Sequence, residues 1–201
     1  MTHPVRFVVT DDLRRSRLTV FFRIVLAVPH LVWATVWGYA LVFFIPFQWL
    51  WALFAGRLED DVHAFLGRYV RYHVHLYAYL LLLANPWPPF RGRPGYPVDV
   101  ELDDARSQSR AGVFFRLVLA VPALVFASVL QVVLYTIAFL GWFASLALGR
   151  LPEGMRELGA YCLRYQTHTV AYLLLLTSAY PSLAGGSGDT PAATRVPGAL
   201  E

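Results

Sequence analysis

The sequence predicts an all-α integral membrane protein, built as a tandem repeat of one helical unit with short surface β-strands. Residues 21–29 (FFRIVLAVP) recur 93 positions later as residues 114–122 (FFRLVLAVP), and the same spacing relates residues 78–83 to residues 171–176. Apolar residues make up 57% of the chain and charged residues 15%, against about 45–50% and about 25% in soluble domains. We therefore expect a first repeat at 1–93, a second at 94–184 and a polar, disordered tail at 185–201.

The longest apolar stretches carry almost no charge. Residues 118–148 include no charged side chain, and residues 25–55 include only His30 and Tyr39 as ionisable groups. Both stretches exceed the roughly 20 apolar residues that cross a bilayer. Each repeat is thus expected to place its first helix in lipid.

Two short valine-rich segments, residues 4–9 and 97–102, precede the apolar stretches. In the second, Val98, Val100 and Leu102 alternate with Asp99 and Glu101, a pattern typical of a half-exposed strand. We expect the two strands to pair with each other at the membrane surface.

The first helix of each repeat is unusually long. Residues 17–55 would extend about 58 Å as one helix, too long for a straight crossing. Either the helix bends at Pro29 (Pro122 in the second copy) and crosses once, or it folds into a hairpin near Gly38. Gln131 at the matching position weakens the hairpin, so we favour the bent crossing, which ends at Gly56 and Gly149.

A second helix is predicted over residues 62–84 and 155–178, giving about two membrane-embedded helices per repeat. Its first half carries arginine and its second half reads Tyr-Leu-Leu-Leu-Leu in both copies. The bias of arginine toward the start of each repeat predicts a multi-pass protein with both termini in the cytoplasm. Both copies have this bias, so we expect them to insert in the same orientation, related by a pseudo-twofold along the membrane normal.

A polar stripe is the sharpest candidate site. Its members, spaced i, i+4 and i+8 on one helix face, are Arg71, His75 and Tyr79, mirrored by Arg164, His168 and Tyr172. Ionisable groups inside a membrane often line pathways or relays. The alternative, which we favour, is that arginine and tyrosine anchor the helix while histidine bonds a neighbouring helix. The apolar stretches offer these arginines no acidic partner, which argues against an acidic proton relay.

Arginines at the start of the long helices are candidate contacts for anionic lipid headgroups; they are Arg17, Arg23, Arg110 and Arg116. Because the arginines flank apolar spans, we expect no nucleic-acid partner. His73 and His75 form a weak metal pair, since Gln166 replaces the first histidine in the second copy. No metal and no cofactor is therefore expected, although a haem carrier would need His75 and His168 to face each other.

The repeated motifs are Phe-Phe-Arg-x-x-Leu-Ala-Val-Pro, Gly-Arg-Leu, Arg-Tyr, Tyr-Leu-Leu-Leu-Leu and a closing proline. Together they resemble a bacterial family of small membrane proteins catalogued as domain of unknown function 4389, over residues 4–90 and 97–183. The resemblance implies a module in the bacterial cytoplasmic membrane and supplies no activity. Ala123 stands where the first copy has His30, which argues against a required histidine pair there.

The function expected from these observations is a non-enzymatic helical scaffold or regulatory module in a bilayer with anionic lipids. Its partner would be another membrane protein or a second copy of the chain. Two alternatives stay open. One is a small transporter, channel or lipid-handling protein, and the other is a membrane enzyme or haem carrier.

Overall fold

The computed structural model describes residues 4–103 and 108–183. Within them lie six elements, in the order β1 (Val5–Val9), α1 (Arg17–Ala55), α2 (Asp60–Leu80), β2 (Val98–Leu102), α3 (Arg110–Leu148) and α4 (Glu153–Leu173). The mainly helical fold with short strands is confirmed. The tail expected to be disordered, residues 185–201, lies outside the described residues.

The long helices α1 and α3 each run unbroken for 39 residues. A hairpin near Gly38 is therefore excluded. Both helices are long and apolar enough to cross a membrane, by length and composition. Each ends at a glycine with a left-handed φ, 72° at Gly56 and 68° at Gly149, as their positions predicted.

Only a narrow stripe of each long helix is buried. On α3 the buried residues recur every three or four positions, so they line one face. They are Val113, Arg116, Ala120, Ala123, Ala127, Leu130, Leu134, Ile137, Gly141 and Ser145. The rest of the helix surface is apolar and largely exposed.

The two long helices are antiparallel. At one end, Arg17 Nη2 donates to Ala147 O at 3.0 Å. At the other, the Gln108 backbone N–H donates to Gly56 O at 2.8 Å. The start of each helix thus meets the end of the other, while the expected insertion of both repeats in the same orientation stays a prediction.

The short helices α2 and α4 stop earlier than predicted, at Leu80 and Leu173 rather than 84 and 178. Leu82 and Leu175 take left-handed φ values of 65° and 61°. The chain then turns back over the last turn of α2, and the Leu83 N–H donates to Ala78 O at 2.8 Å. This Schellman-like closure ends the helix before the proline.

The strands pair with each other, as predicted, and run antiparallel, with Val5 opposite Leu102 and Val9 opposite Val98. The inner face of the sheet joins the core through Val5, Phe7, Val98 and Val100. The outer face carries an exposed salt bridge between Arg6 and Glu101.

The strands are exchanged between the repeats. β2 follows the boundary expected at residue 93, yet it packs on α2, and β1 packs on α4. Phe65 and Tyr69 of α2 pack in turn on Trp37 at the middle of α1. The molecule therefore has three layers, with the long helices first, the short helices next and the sheet last.

Candidate functional site

Asp99 on β2 joins two members of the predicted polar stripe. Arg71 and His75 lie one turn apart on the face of α2 that meets β2. Asp99 Oδ1 lies 3.2 Å from Arg71 Nε and 2.9 Å from His75 Nε2. Arg71 Nε also donates to Val100 O at 3.1 Å. The cluster Arg71–His75–Asp99 therefore fastens the strand to the helix.

Backbone N–H groups of β2 and of the loop before it complete the surroundings of the Asp99 carboxylate. Oδ2 accepts the Gly95 N–H at 2.9 Å, and Oδ1 accepts the Val100 N–H at 2.8 Å. Burial alone would raise the pKa of Asp99. The hydrogen bonds from His75, Gly95 and Val100 outweigh burial and leave the pKa below its ordinary value. Asp99 is therefore a carboxylate at neutral pH.

His75 is fully buried and held on two sides. The ring of Tyr96 lies 4.6 Å from the imidazole, centroid to centroid, and the Tyr96 hydroxyl donates to Pro86 O at 2.6 Å. Nδ1 of His75 has no hydrogen-bond partner among the described residues. The arrangement fixes the imidazole in one orientation against Asp99.

Tyr79, the third member of the stripe, does not join this cluster. The guanidinium of Arg23 lies over its ring, with Cζ 4.5 Å from the centroid. Arg23 Nη1 also donates to Tyr79 O at 2.6 Å and to Ala84 O at 3.2 Å. Arg23 therefore binds the carbonyl groups at the end of α2.

The second repeat reproduces this arginine contact. Arg116 Cζ lies 4.4 Å from the centroid of Tyr172, and its Nη1 donates to Tyr172 O at 2.9 Å. Arg23 and Arg116 are both buried, so the expectation that they contact lipid headgroups is wrong. Their guanidinium groups instead donate to carbonyl oxygens at the ends of α2 and α4. Arg17 and Arg110, the other two candidates, are exposed.

Among residues 4–103 and 108–183, the contacts of Asp99 are not repeated at its equivalent position. Arg6 occupies the position equivalent to Asp99, and its side chain lies on the exposed face of the sheet. His168 Nε2 lies 3.1 Å from Val5 O instead, and the Arg164 guanidinium lies 5.2 Å from the ring of Tyr161. The six residues of the predicted stripe are thus divided among different contacts.

A cavity of about 190 Å³ lies between α2, α3 and α4. Its wall mixes leucine and valine with polar and aromatic side chains, which include Tyr69, His73, Tyr77, Gln131, Gln166 and Thr167. The volume is below the roughly 300–1,000 Å³ of pockets for drug-sized ligands. It suits a small solute or one polar group of a larger molecule.

The sequence interpretation missed Asp99 because it sought acidic partners only inside the apolar stretches. The available signal was the alternation of residues 97–102, which places acidic side chains on one face of a strand. Within residues 4–103 and 108–183, no three histidine, cysteine or acidic side chains are grouped as a metal site requires. The cluster joins α2 to β2 through an ion pair and contains no nucleophile.

These features define a mostly helical protein with a two-stranded sheet and two helices of membrane-crossing length and composition. The family model described as "Domain of unknown function (DUF4389)" matches residues 17–91 and again residues 110–184. The chain therefore belongs to the DUF4389 family and carries two tandem copies of its domain. Comparison with curated proteins and with solved structures gave no match.

Proposed function

We propose that the chain is an integral protein of the bacterial cytoplasmic membrane, with a non-enzymatic role as a scaffold or regulator of a partner. The observation that carries the proposal is the uncovered apolar surface of α1 and α3. Nineteen large apolar side chains on α1 and sixteen on α3 are exposed. At about 60–100 Å² each, these side chains together expose more than 2,000 Å² of apolar surface. That is several times the roughly 300–600 Å² of the largest apolar patch on a typical soluble monomer.

The polar contacts support a structural role. The Asp99 cluster joins α2 to β2, and Arg23 and Arg116 each bind the end of a short helix. These groups stabilise a rigid platform rather than present reactive atoms to a substrate. The partner is another membrane protein or a second copy of the chain, with anionic lipid around the exposed arginines and no nucleic acid.

Fractionation of bacterial cells tests the membrane assignment. The protein should stay in the membrane pellet through washes with high salt and alkaline carbonate, and detergent should release it. A chain that is monodisperse in buffer without detergent would overturn the proposal.

The scaffold role is tested by purification from native membranes in mild detergent. A stoichiometric partner or a defined oligomer is expected, and a lone monomer would contradict it.

The cavity favours one second candidate, a small transporter, channel or lipid-handling protein. Gln131 and Gln166 lie in its wall, and replacing both by leucine removes polar groups while keeping a similar size. Solute flux or lipid transfer in proteoliposomes should then fall at least tenfold if this candidate is correct. Thr35→Val is the matched control, because Thr35 is exposed on α1 and its hydroxyl donates to Leu31 O in its own helix. Equal rates in all variants would remove the candidate.

A further inference from the structure

We propose that α1 and α3 lie in the plane of the membrane, embedded in one leaflet, with the sheet facing water. The occupant of their exposed face is therefore the acyl region of a single leaflet. The inference rests on the proposed membrane association and adds an orientation to it.

The length of the exposed apolar stripe is the first argument. Positions spaced by seven or eleven residues fall on nearly one helix face, since each step drifts by about 20°. Five such positions on α1 are all strongly exposed: Leu18 (70%), Val25 (67%), Val36 (56%), Phe47 (72%) and Phe54 (74%). They cover about 54 Å. Fitting that length into a core of about 30 Å would require a tilt of roughly 55°, beyond the 0–40° of membrane-spanning helices.

The position of the sheet is the second argument. β2 contacts α2 at Gly67 and Arg71, and the neighbouring Tyr69 packs on Trp37, which is near the midpoint of α1. If α1 crossed the bilayer, the sheet would lie level with its centre. The exposed Arg6–Glu101 pair would then sit at hydrocarbon depth, where sheet edges and charges are not tolerated. With α1 in the plane of the membrane, the sheet lies two layers away from lipid.

The arginines give the third argument. Arg17 and Arg110 mark the starts of α1 and α3, and the antiparallel packing places these starts at opposite ends. A crossing arrangement would put one arginine-bearing start on each side of the membrane, against the positive-inside tendency. An in-plane arrangement places both at the same anionic surface. It also keeps the strands and the described ends of the chain on the cytoplasmic side.

Spin labels test the orientation directly. Single cysteines replace Leu18, Val25, Val36, Phe47 and Phe54 in a Cys162→Ala background, and the labelled proteins are reconstituted in phosphatidylethanolamine–phosphatidylglycerol vesicles. Depth is read from the relative accessibility to oxygen and to a water-soluble nickel chelate. In the plane of the membrane, all five labels should lie within about 5 Å of one depth. In a crossing helix, Val36 would lie about 15 Å deeper than the two end positions.

A label at Glu101 is the matched control on the sheet. It should remain accessible to the nickel chelate, whereas a crossing arrangement would bring it to the bilayer centre. A depth profile that peaks at Val36 overturns the in-plane orientation and leaves the membrane proposal standing. If all six labels are fully accessible to the nickel chelate, the protein is not in the bilayer and both proposals fail.

A second measurement uses a membrane-impermeant maleimide on Ser16→Cys and Arg57→Cys, two exposed positions at the ends of α1. In sealed vesicles of one known orientation, both cysteines should react from the same side. Reaction of one only after permeabilisation would place the ends of α1 on opposite sides and refute the in-plane arrangement.

Discussion

Replacing Asp99 by asparagine should destabilise the fold more than any exposed substitution on the sheet. The carboxylate accepts hydrogen bonds from His75, Gly95 and Val100 and faces Arg71. Asparagine keeps one acceptor oxygen and loses the charge. Breaking a largely buried ion pair costs about 3–5 kcal/mol, and the remaining amide oxygen offsets part of this. We expect a loss of about 3 kcal/mol, or roughly 6–12 °C in Tm for a chain of this length.

The assay is thermal unfolding in detergent, followed by near-ultraviolet circular dichroism. Glu101→Gln is the control on the same strand. The Glu101 side chain is 56% exposed and pairs with Arg6, so its loss should cost less than about 1 kcal/mol. If Asp99→Asn and Glu101→Gln lower Tm equally, the role assigned to the Arg71–His75–Asp99 cluster is wrong.

Acid should reduce the difference between wild type and Asp99→Asn. The pKa of Asp99 is lowered in the folded chain from its ordinary value of 3.8. Its stabilising contribution is therefore complete above pH 3.8 and is lost as pH falls through the folded pKa. Asparagine has no such proton to bind. A Tm difference that stays constant, or grows, as pH falls below about 4 would contradict the assignment.

Two further substitutions test the contacts that end and position α2. Arg23→Met should lose about 1.5–3 kcal/mol because it removes the charge-assisted hydrogen bonds to Tyr79 O and Ala84 O, while Arg17→Met, at an exposed position, should cost less than about 1 kcal/mol in the same thermal assay. Gly92→Ala should cost more than about 2 kcal/mol, because a Cβ there would approach the Arg68 carbonyl oxygen to 2.5 Å. Gly154→Ala, where a Cβ meets nothing within 4 Å, should instead gain up to about 1 kcal/mol in a helix.

The long helices and the strands could be predicted from local pattern. Absence of charge over residues 118–148 and glycine at 56 and 149 fix where α3 lies and where both long helices end. Alternation in residues 97–102 predicts that Val98 and Val100 face the core and that Glu101 faces outward, although Asp99 beside them is buried. These signals are local, so a single sequence contains them in full.

The relation between the repeats could not be predicted in the same way. Antiparallel packing depends on contacts such as Arg17 with Ala147, which no periodicity encodes. The contact between Arg23 and the end of α2 was missed for the same reason. The position of an arginine near the start of an apolar helix predicts an interfacial anchor. Only the fold places the end of α2 within reach of the Arg23 guanidinium. Asp99 was overlooked because it lies outside the apolar stretches and no local pattern places β2 against α2.

Strand exchange leads to a last prediction, on where the chain can be divided. A fragment of residues 1–93 contains Arg71 and His75 but lacks Asp99, and its β1 has no strand to pair with. A fragment of residues 1–103 adds ten residues, which supply β2, Asp99 and the bond from the Asp103 N–H to Pro4 O. Helix α2 in the longer fragment should therefore resist trypsin better, by at least about fivefold, since a contribution of about 1 kcal/mol lowers the open population by that factor. The rate of cleavage after Arg71 in detergent, followed by mass spectrometry, measures this resistance. Equal cleavage rates would mean that β2 does not hold α2, and that each repeat is complete without the strand of the other.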